Sequence, residues 1–329
     1  MFGSRMTLII DTRTEPDRAL ALACETLGQG LPVAIPTETV YGLAADATNP
    51  DAISRIYEMK GRPRFNPLIC HVSDFAMAEA YVSFDPLSRQ LAEAFWPGPL
   101  TLILPIKPDS TVHPLASAGL DTLGIRMPDG FSRAVIQRYG KPLAAPSANT
   151  SGKISPTSAA HVEADLGGKL ALILDAGPAE IGLESTILKV EDGEIRLLRP
   201  GGLDVADIEA LTGKTVLRPE TAGAVIEAPG MLASHYAPGA TVRLNAEDVK
   251  AGEALIRFGG AKLPGEGNAI VVLDLSPTGD LREAAANLFA YMKEADASGA
   301  ATIAFGPIPN EGLGEAIIDR IERAAAPRD

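Results

Sequence analysis

The sequence predicts an α/β protein of two domains. Apolar runs of strand length alternate with stripes of helical spacing along 329 residues, and a stretch rich in Pro, Gly and Ala, residues 216–240, interrupts that alternation. The composition, 46% hydrophobic and 22% charged, is that of a globular chain able to bury a sizeable core.

Taken in order, residues 16–27, PDRALALACETL, carry a helical apolar stripe, and Gly28 and Gly30 supply its stop. LPVAIP then reads as a buried strand, residues 51–59 as a helix that delivers the chain to Lys60, and NPLICHVS as a strand. Further strands are expected at 100–105 (LTLILP), 122–127 (TLGIRM), 143–145, 170–175 (LALILD) and 185–190 (STILKV), with helices between several of them. The first domain, 1–215, closes at IRLLRPGGLDVADIEALTG, where a strand gives way to a short helix. Residues 216–240 lose periodicity and read as a linker. TVRLN, EALIRFG, NAIVVLDLS and ATIAFGPIP then alternate with helices at 280–297 and 314–325, a smaller Rossmann-like α/β unit spanning 241–329.

A formal net charge of −13, from 42 acidic and 29 basic residues, argues against a surface that grips nucleic acid or anionic membrane throughout, so any polyanion site must be local. Cys24 and Cys70 form no CxxC pair, which leaves a zinc site or disulfide framework without support and suggests small buried thiols in a reducing compartment. No secretory signal and no apolar run of about 20 residues is present, so a cytoplasmic protein is expected.

The standard phosphate signatures fail. Gly213-Lys214-Thr215 ends like a P-loop, but the earlier glycine that motif requires falls on Ile208. Gly265-x-Gly267 and Gly312-x-Gly314 have Ile270 and Ile317 at the third glycine of a dinucleotide fingerprint, and Gly312 and Gly314 read instead as caps of the last helix. Neither HExxH nor GxSxG occurs.

Other stretches carry more. Lys60, Arg62 and Arg64 crowd into EMKGRPRFNPLICH, where prolines stiffen a loop that leads into a strand ending at His71. Solvated surface has such composition too; the alternative is a polyphosphate site at the edge of a sheet, with Arg62 as a fork and Lys60 as a point charge. APSANTSGKISPT, 145–157, is either a plain polar loop or a cradle of hydroxyls and backbone N–H groups for phosphate oxygens. Arg126 stands inside the apolar run LGIRMP and needs an anionic partner, an Asp or Glu of the protein or the carboxylate of a substrate. His71 is either a core histidine bonded to a carbonyl or a ligand contact. Thr37 and Thr39 of PTETVYG fit a turn cap, and Glu184 and Ser185 of GLESTI fit a turn.

The succession PTETVYGL, KGRPxxNPLxxH, WPGPLT, SANxSGxxSPT, GxEST and LLRPG resembles the YrdC/YciO family of nucleotide-binding domains, and PGMLASHYAPG with the C-terminal unit resembles the long, two-domain L-threonylcarbamoyladenylate synthases within it. That resemblance implies a YrdC-like twisted mixed sheet and a reaction of ATP, L-threonine and bicarbonate that gives threonylcarbamoyl-AMP and pyrophosphate. The product would pass to a separate transferase complex, which modifies the tRNA adenosine next to the anticodon; tight tRNA binding by this chain is not expected. Carried over by position, Thr39, His71, Arg126, Ala145 and Ser185 would surround threonine. Lys60, Arg62, Asn66, Thr122, Ser147, Ser155, Arg199 and Tyr236 would surround ATP, whose Mg²⁺ has no assigned protein ligand. The sequence departs from the family pattern at YGLAAD, which lacks the glycine many relatives carry after YGL, and at Arg64, an added cation. Two other readings remain, a carbamoyl-adenylate transferase of metalloenzyme maturation and a non-catalytic RNA-binding module, the latter opposed by the net charge.

Overall fold

The computed structural model describes residues 6–218, 227–230 and 235–327. Its N-terminal half builds β1 (Leu8–Asp11), α1 (Pro16–Gly28), β2 (Val33–Ile35), β3 (Gly42–Asp46), α2 (Pro50–Lys60), β4 (Ile69–His71), α3 (Phe75–Tyr81), α4 (Pro86–Phe95), β5 (Leu100–Pro105), α5 (Pro114–Ser117), β6 (Thr122–Arg126) and α6 (Phe131–Tyr139). There follow β7 (Leu143–Ala144), α7 (Ala159–Leu166), β8 (Leu172–Asp175), β9 (Thr186–Glu191), β10 (Glu194–Arg199), α8 (Val205–Thr212) and β11 (Val216–Leu217). The C-terminal unit comprises β12 (Thr241–Arg243), β13 (Glu253–Arg257), β14 (Val271–Asp274), α9 (Leu281–Ala297), β15 (Thr302–Phe305) and α10 (Leu313–Ala325).

Local chemistry sets the helix ends. Pro50 opens α2, the Asn49 side chain accepts from the N–H groups of Asp51 and Ala52, and Gly61 in the left-handed region stops the helix at Lys60. Asp74 and Asp85 cap α3 and α4 in the same way. Gly213 ends α8, and Gly312 is the N-cap of α10, so neither glycine belongs to a phosphate loop.

The first sheet is mixed and twisted, with 11 strands in the order β1-β8-β2-β3-β7-β4-β6-β5-β9-β10-β11. The sheet contains both parallel pairs (β1/β8, β4/β6, β5/β9) and antiparallel ones (β2/β3, β4/β7, β5/β6), so the strands share no carboxyl edge. The cavity that gathers the expected residues lies over the face of the central strands rather than at an edge of the sheet, where the loops that follow β2 and β7 and precede β4 and β9 converge. One face is closed by a core that includes Cys70, Leu102 and Ile125, while Ile69, Ile103, Ile187 and Leu198 lie on the other, against Ala228. Cys70 is buried, but Cys24 is only half-buried.

The second sheet is wholly parallel, β12-β15-β13-β14. Ile256, Ile303 and Phe305 of its strands form one core with Leu288 and Phe289 of α9 and Ile317 of α10, and Val40, Ile154, Leu183 and Tyr236 belong to the same cluster. The C-terminal unit is thus packed against the loops that follow β2 and β7 and precede β9. Of the expected linker, 219–226 and 231–234 lie outside the described residues, and Val216–Leu217 joins the large sheet beside β10.

Candidate active site

Strand alternation places the first side chains. Ile69 and His71 share a face of β4, their register partners Gly124 and Arg126 share it on β6, and Ile69, His71 and Arg126 line one cavity. Arg126 is buried, with Nε donating to Gly98 O at 3.1 Å and Nη1 to Thr39 Oγ1 at 2.9 Å. Its Nη2 lies 2.5 Å from Glu38 Oε1, an ion pair without hydrogen-bond alignment, so both charged groups keep bonding capacity for a ligand. Thr37 Oγ1 accepts from the N–H groups of Thr39 and Val40, a turn that aims Thr39 at Arg126. Among the described residues His71 makes no carbonyl bond through Nδ1, which is buried without a partner there, and burial followed by the Arg126 charge holds its pKa well below the usual value.

The cationic loop is built to hold Arg62. Its Nε and Nη2 donate to Asn66 O (3.2 Å), Asn66 Oδ1 (2.7 Å) and Pro67 O (2.8 Å), and burial pushes the guanidinium pKa down to about 10. Lys60 points elsewhere: Nζ donates to Ser147 O and Asn149 O, both at 2.6 Å, bracing α2 against the loop after β7. Arg64 is exposed.

On the far wall, Ser185 Oγ lies 2.7 Å from Thr101 Oγ1, and Arg199 donates to Ser185 O at 2.8 Å and Ser185 Oγ at 3.2 Å. Gly201 lets the chain pass there: a Cβ at this position would lie 2.3 Å from Glu184 O. Ser155 Oγ donates to Glu184 Oε1 at 2.6 Å and Arg320 Nε to Oε2 at 2.9 Å. Burial would raise the Glu184 carboxyl, but Arg320, Arg199 and the Ser155 bond outweigh it and bring the pKa to about 2. Tyr236, at φ 60°, stacks on Phe289 at 5.4 Å.

The cavity therefore gathers Thr39, Arg62, His71, Arg126, Ala145, Ser147, Ser185, Arg199 and Tyr236 from the residues singled out in the sequence. Lys60, Asn66 and Ser155 stand behind it, holding the Ser147 loop, Arg62 and Glu184 in turn. Thr122 does neither; it lies at the start of β6 opposite Pro105. Sequence reasoning missed Glu38, His235 and Arg320. For Glu38 the signal was available, since the unpaired Arg126 called for an acid.

Fold and cavity together define a protein of the YrdC-like class with a second α/β unit packed against its ligand-facing loops. A family model described as "Telomere recombination" matches residues 25–201, and one described as "Threonylcarbamoyl-AMP synthase, C-terminal domain" matches residues 203–326. The threonylcarbamoyl-AMP synthase of Bacillus subtilis is 40% identical over 97% of this chain and 96% of its own, and that of Pyrococcus abyssi 38% identical over 98% and 99%. The crystal structure of Pyrococcus abyssi Sua5 complexed with L-threonine has a TM-score of 0.87 at 36% identity, covering 98% of each chain. Escherichia coli YciO, 18% identical with a TM-score of 0.51 over 60% of this chain and 96% of its own, shares the fold alone. The chain belongs to the threonylcarbamoyl-AMP synthase family.

Proposed function

We propose that this protein makes threonylcarbamoyl-AMP and pyrophosphate from ATP, L-threonine and bicarbonate, by adenylyl transfer to N-carboxy-L-threonine. The observation that carries the reading is the convergence of Arg62, Arg126 and Arg199, all buried, on one cavity that also holds the unpartnered Nδ1 of His71. Buried cations of this kind suit an anionic ligand with more than one charged end. The L-threonine in the Pyrococcus abyssi complex supports threonine as one substrate.

In this reading the Arg126–Thr39–His71 end takes threonine, whose carboxylate would replace Glu38 on Arg126. The Arg62–Ser147–Arg199 end takes the triphosphate. The threonine amine and bicarbonate combine to a carbamate with loss of water; a carbamate oxygen attacks the α-phosphorus, and pyrophosphate leaves in line. No protein nucleophile is required, so the residues act by position and charge. Glu184, the carboxylate in the cavity lining, is engaged by Arg320, and Glu38, outside the lining, by Arg126, a donor set that fits Mg²⁺ carried in by ATP. Bound there, the ion offsets charge on the triphosphate.

Pro229, Gly230, His235 and Tyr236 line the same cavity, which has room for a few waters. We take these linker residues as a lid that withdraws to admit ATP and then excludes water from the labile carbamate. The product would serve a separate transferase that modifies the tRNA adenosine next to the anticodon, in the cytoplasm. No helix among the described residues is long and apolar enough to cross a membrane. The test is pyrophosphate release with each substrate omitted in turn: release only from the complete mixture supports the synthase, and release that ignores threonine or bicarbonate rejects it.

A further inference from the structure

The C-terminal unit carries no chemical motif in its sequence, yet one of its charged side chains reaches a carboxylate of the candidate active site. Arg320, on α10, is 0% exposed and heads the largest fully buried side chains. A buried guanidinium persists only where its donors are matched. Nε donates to Glu184 Oε2 (2.9 Å), Nη1 to Asp319 Oδ2 (2.5 Å) and Nη2 to Pro200 O (2.8 Å), and the Tyr236 ring centroid lies 5.1 Å from Cζ. Three of these partners belong to the cavity or adjoin it: Glu184 and Tyr236 line it, and Pro200 follows Arg199.

The charge balance of the cavity gives this contact a consequence. Glu184 is the carboxylate in its lining and is held by Ser155 and Arg320, while Glu38, outside the lining, faces Arg126. Arg199 spends its donors on Ser185 and on Pro229 O at 3.4 Å, with no bond to Glu184 among the described residues. Without Arg320, the Glu184 carboxylate would be left with Ser155 and Arg199, and would compete with an incoming anion for the Arg199 guanidinium. The fit is close in the two residues before Glu184: a Cβ at Gly182 would lie 2.5 Å from Ala286 Cα of α9, and Leu183 is buried in the C-terminal core.

We infer that Arg320 is a positioning residue for the polyphosphate end of the cavity: by pairing with Glu184 it keeps that carboxylate from competing for Arg199, so the C-terminal unit completes the charge balance of the site. The inference rests on the synthase reading only for the identity of the anion, ATP. A purely structural Arg320 would hold the two units together without tuning anion affinity.

The experiment compares wild type, Arg320→Met, Arg320→Lys, Glu184→Gln and the double variant Glu184→Gln/Arg320→Met. ATP and inorganic pyrophosphate binding are measured by calorimetry, with urea unfolding of each protein. Arg320→Met is expected to weaken both anions by roughly ten-fold or more and threonine much less, with Arg320→Lys in between. The double variant, which removes the competing charge along with its partner, is expected to recover most of that loss. A folded Arg320→Met protein with wild-type anion affinity, or a double variant no better than Arg320→Met, overturns the inference. If Arg320→Met does not fold, the double variant is judged against Glu184→Gln alone. Affinities within about two-fold support the inference, and a loss of about ten-fold overturns it. Wild-type protein that binds ATP but forms no threonylcarbamoyl-AMP would reject the synthase reading and leave this comparison intact. Wild type that binds neither ATP nor pyrophosphate overturns both.

Discussion

Arg126 is held between two demands, a buried position in β6 and a guanidinium that, among the described residues, meets Glu38, Thr39 and Gly98 O. In the proposed reaction it takes the threonine carboxylate in a planar, two-point contact that a lysine cannot reproduce. Arg126→Lys should raise the KM for threonine by roughly 10- to 100-fold while changing the KM for ATP little, since a lost charge-assisted contact of this kind is worth about 1.5–3 kcal/mol. Steady-state kinetics with each substrate varied separately checks this, and equal changes in both constants would contradict it. His71 and His235 set a second expectation. Burial lowers both pKa values, with Arg126 adding to the effect at His71; at His235, which reaches about 3, Arg62 and Lys60 add to it and Glu184 opposes it. An unfolded histidine titrates near 6.5, so below about pH 6.5 and down to the folded values the unfolded chain binds more protons than the folded one. Stability should therefore fall as pH falls through that window, by at most about 1.4 kcal/mol per pH unit for each histidine. The urea midpoint should drop between pH 7.5 and pH 5.5, and His235→Gln should flatten the slope; a midpoint independent of pH would contradict this.

At the scale of elements, the linker is where structure and proposed chemistry meet. Tyr236 is buried between Phe289 and Arg320 yet lines the cavity. If the linker closes the site against water, Tyr236→Ala should weaken ATP binding by several-fold and lower the yield of adenylate at limiting bicarbonate, because exposed carbamate loses CO₂ before it can attack ATP. Unchanged affinity and yield would remove the lid. Much at this scale was legible in the sequence. The strand expected at 100–105 is β5 with the same bounds, because a run of alternating Leu, Thr and Ile ends at a proline. β1 was passed over, because LIID offers four residues at the end of an apolar run with no turn signal before it. β3 was passed over because GLAAD is small and unbranched, and only its position between β2 and β7 makes it a strand. In the site, Arg126 stood out as a charge inside an apolar run. Glu184 looked like any turn acid, and Arg320 like any surface arginine of an amphipathic helix, because the long-range pair that buries them spans two domains.

At the scale of the whole molecule, the C-terminal unit shares its apolar core with Val40, Ile154 and Leu183, each on a loop that shapes the cavity. Gly182, at φ 74°, is the tightest of these contacts, since an added Cβ would meet backbone atoms of Ala285 and Ala286 at 2.5–2.6 Å. Gly182→Ala should cost about 1–3 kcal/mol of stability by overpacking and left-handed strain, and should weaken ATP binding through the displaced Glu184. A variant as stable as wild type in urea, with full ATP affinity, would show the two units to be packed loosely. The central claim is the synthesis itself, and the most direct measurement is mass spectrometry of the adenylate formed from ATP, L-threonine and carbon-13 bicarbonate. The account predicts a threonine-containing adenylate carrying the labelled carbon, formed together with pyrophosphate and absent when any substrate is left out. An adenylate without the label, or pyrophosphate released with no threonine-containing product, would contradict it.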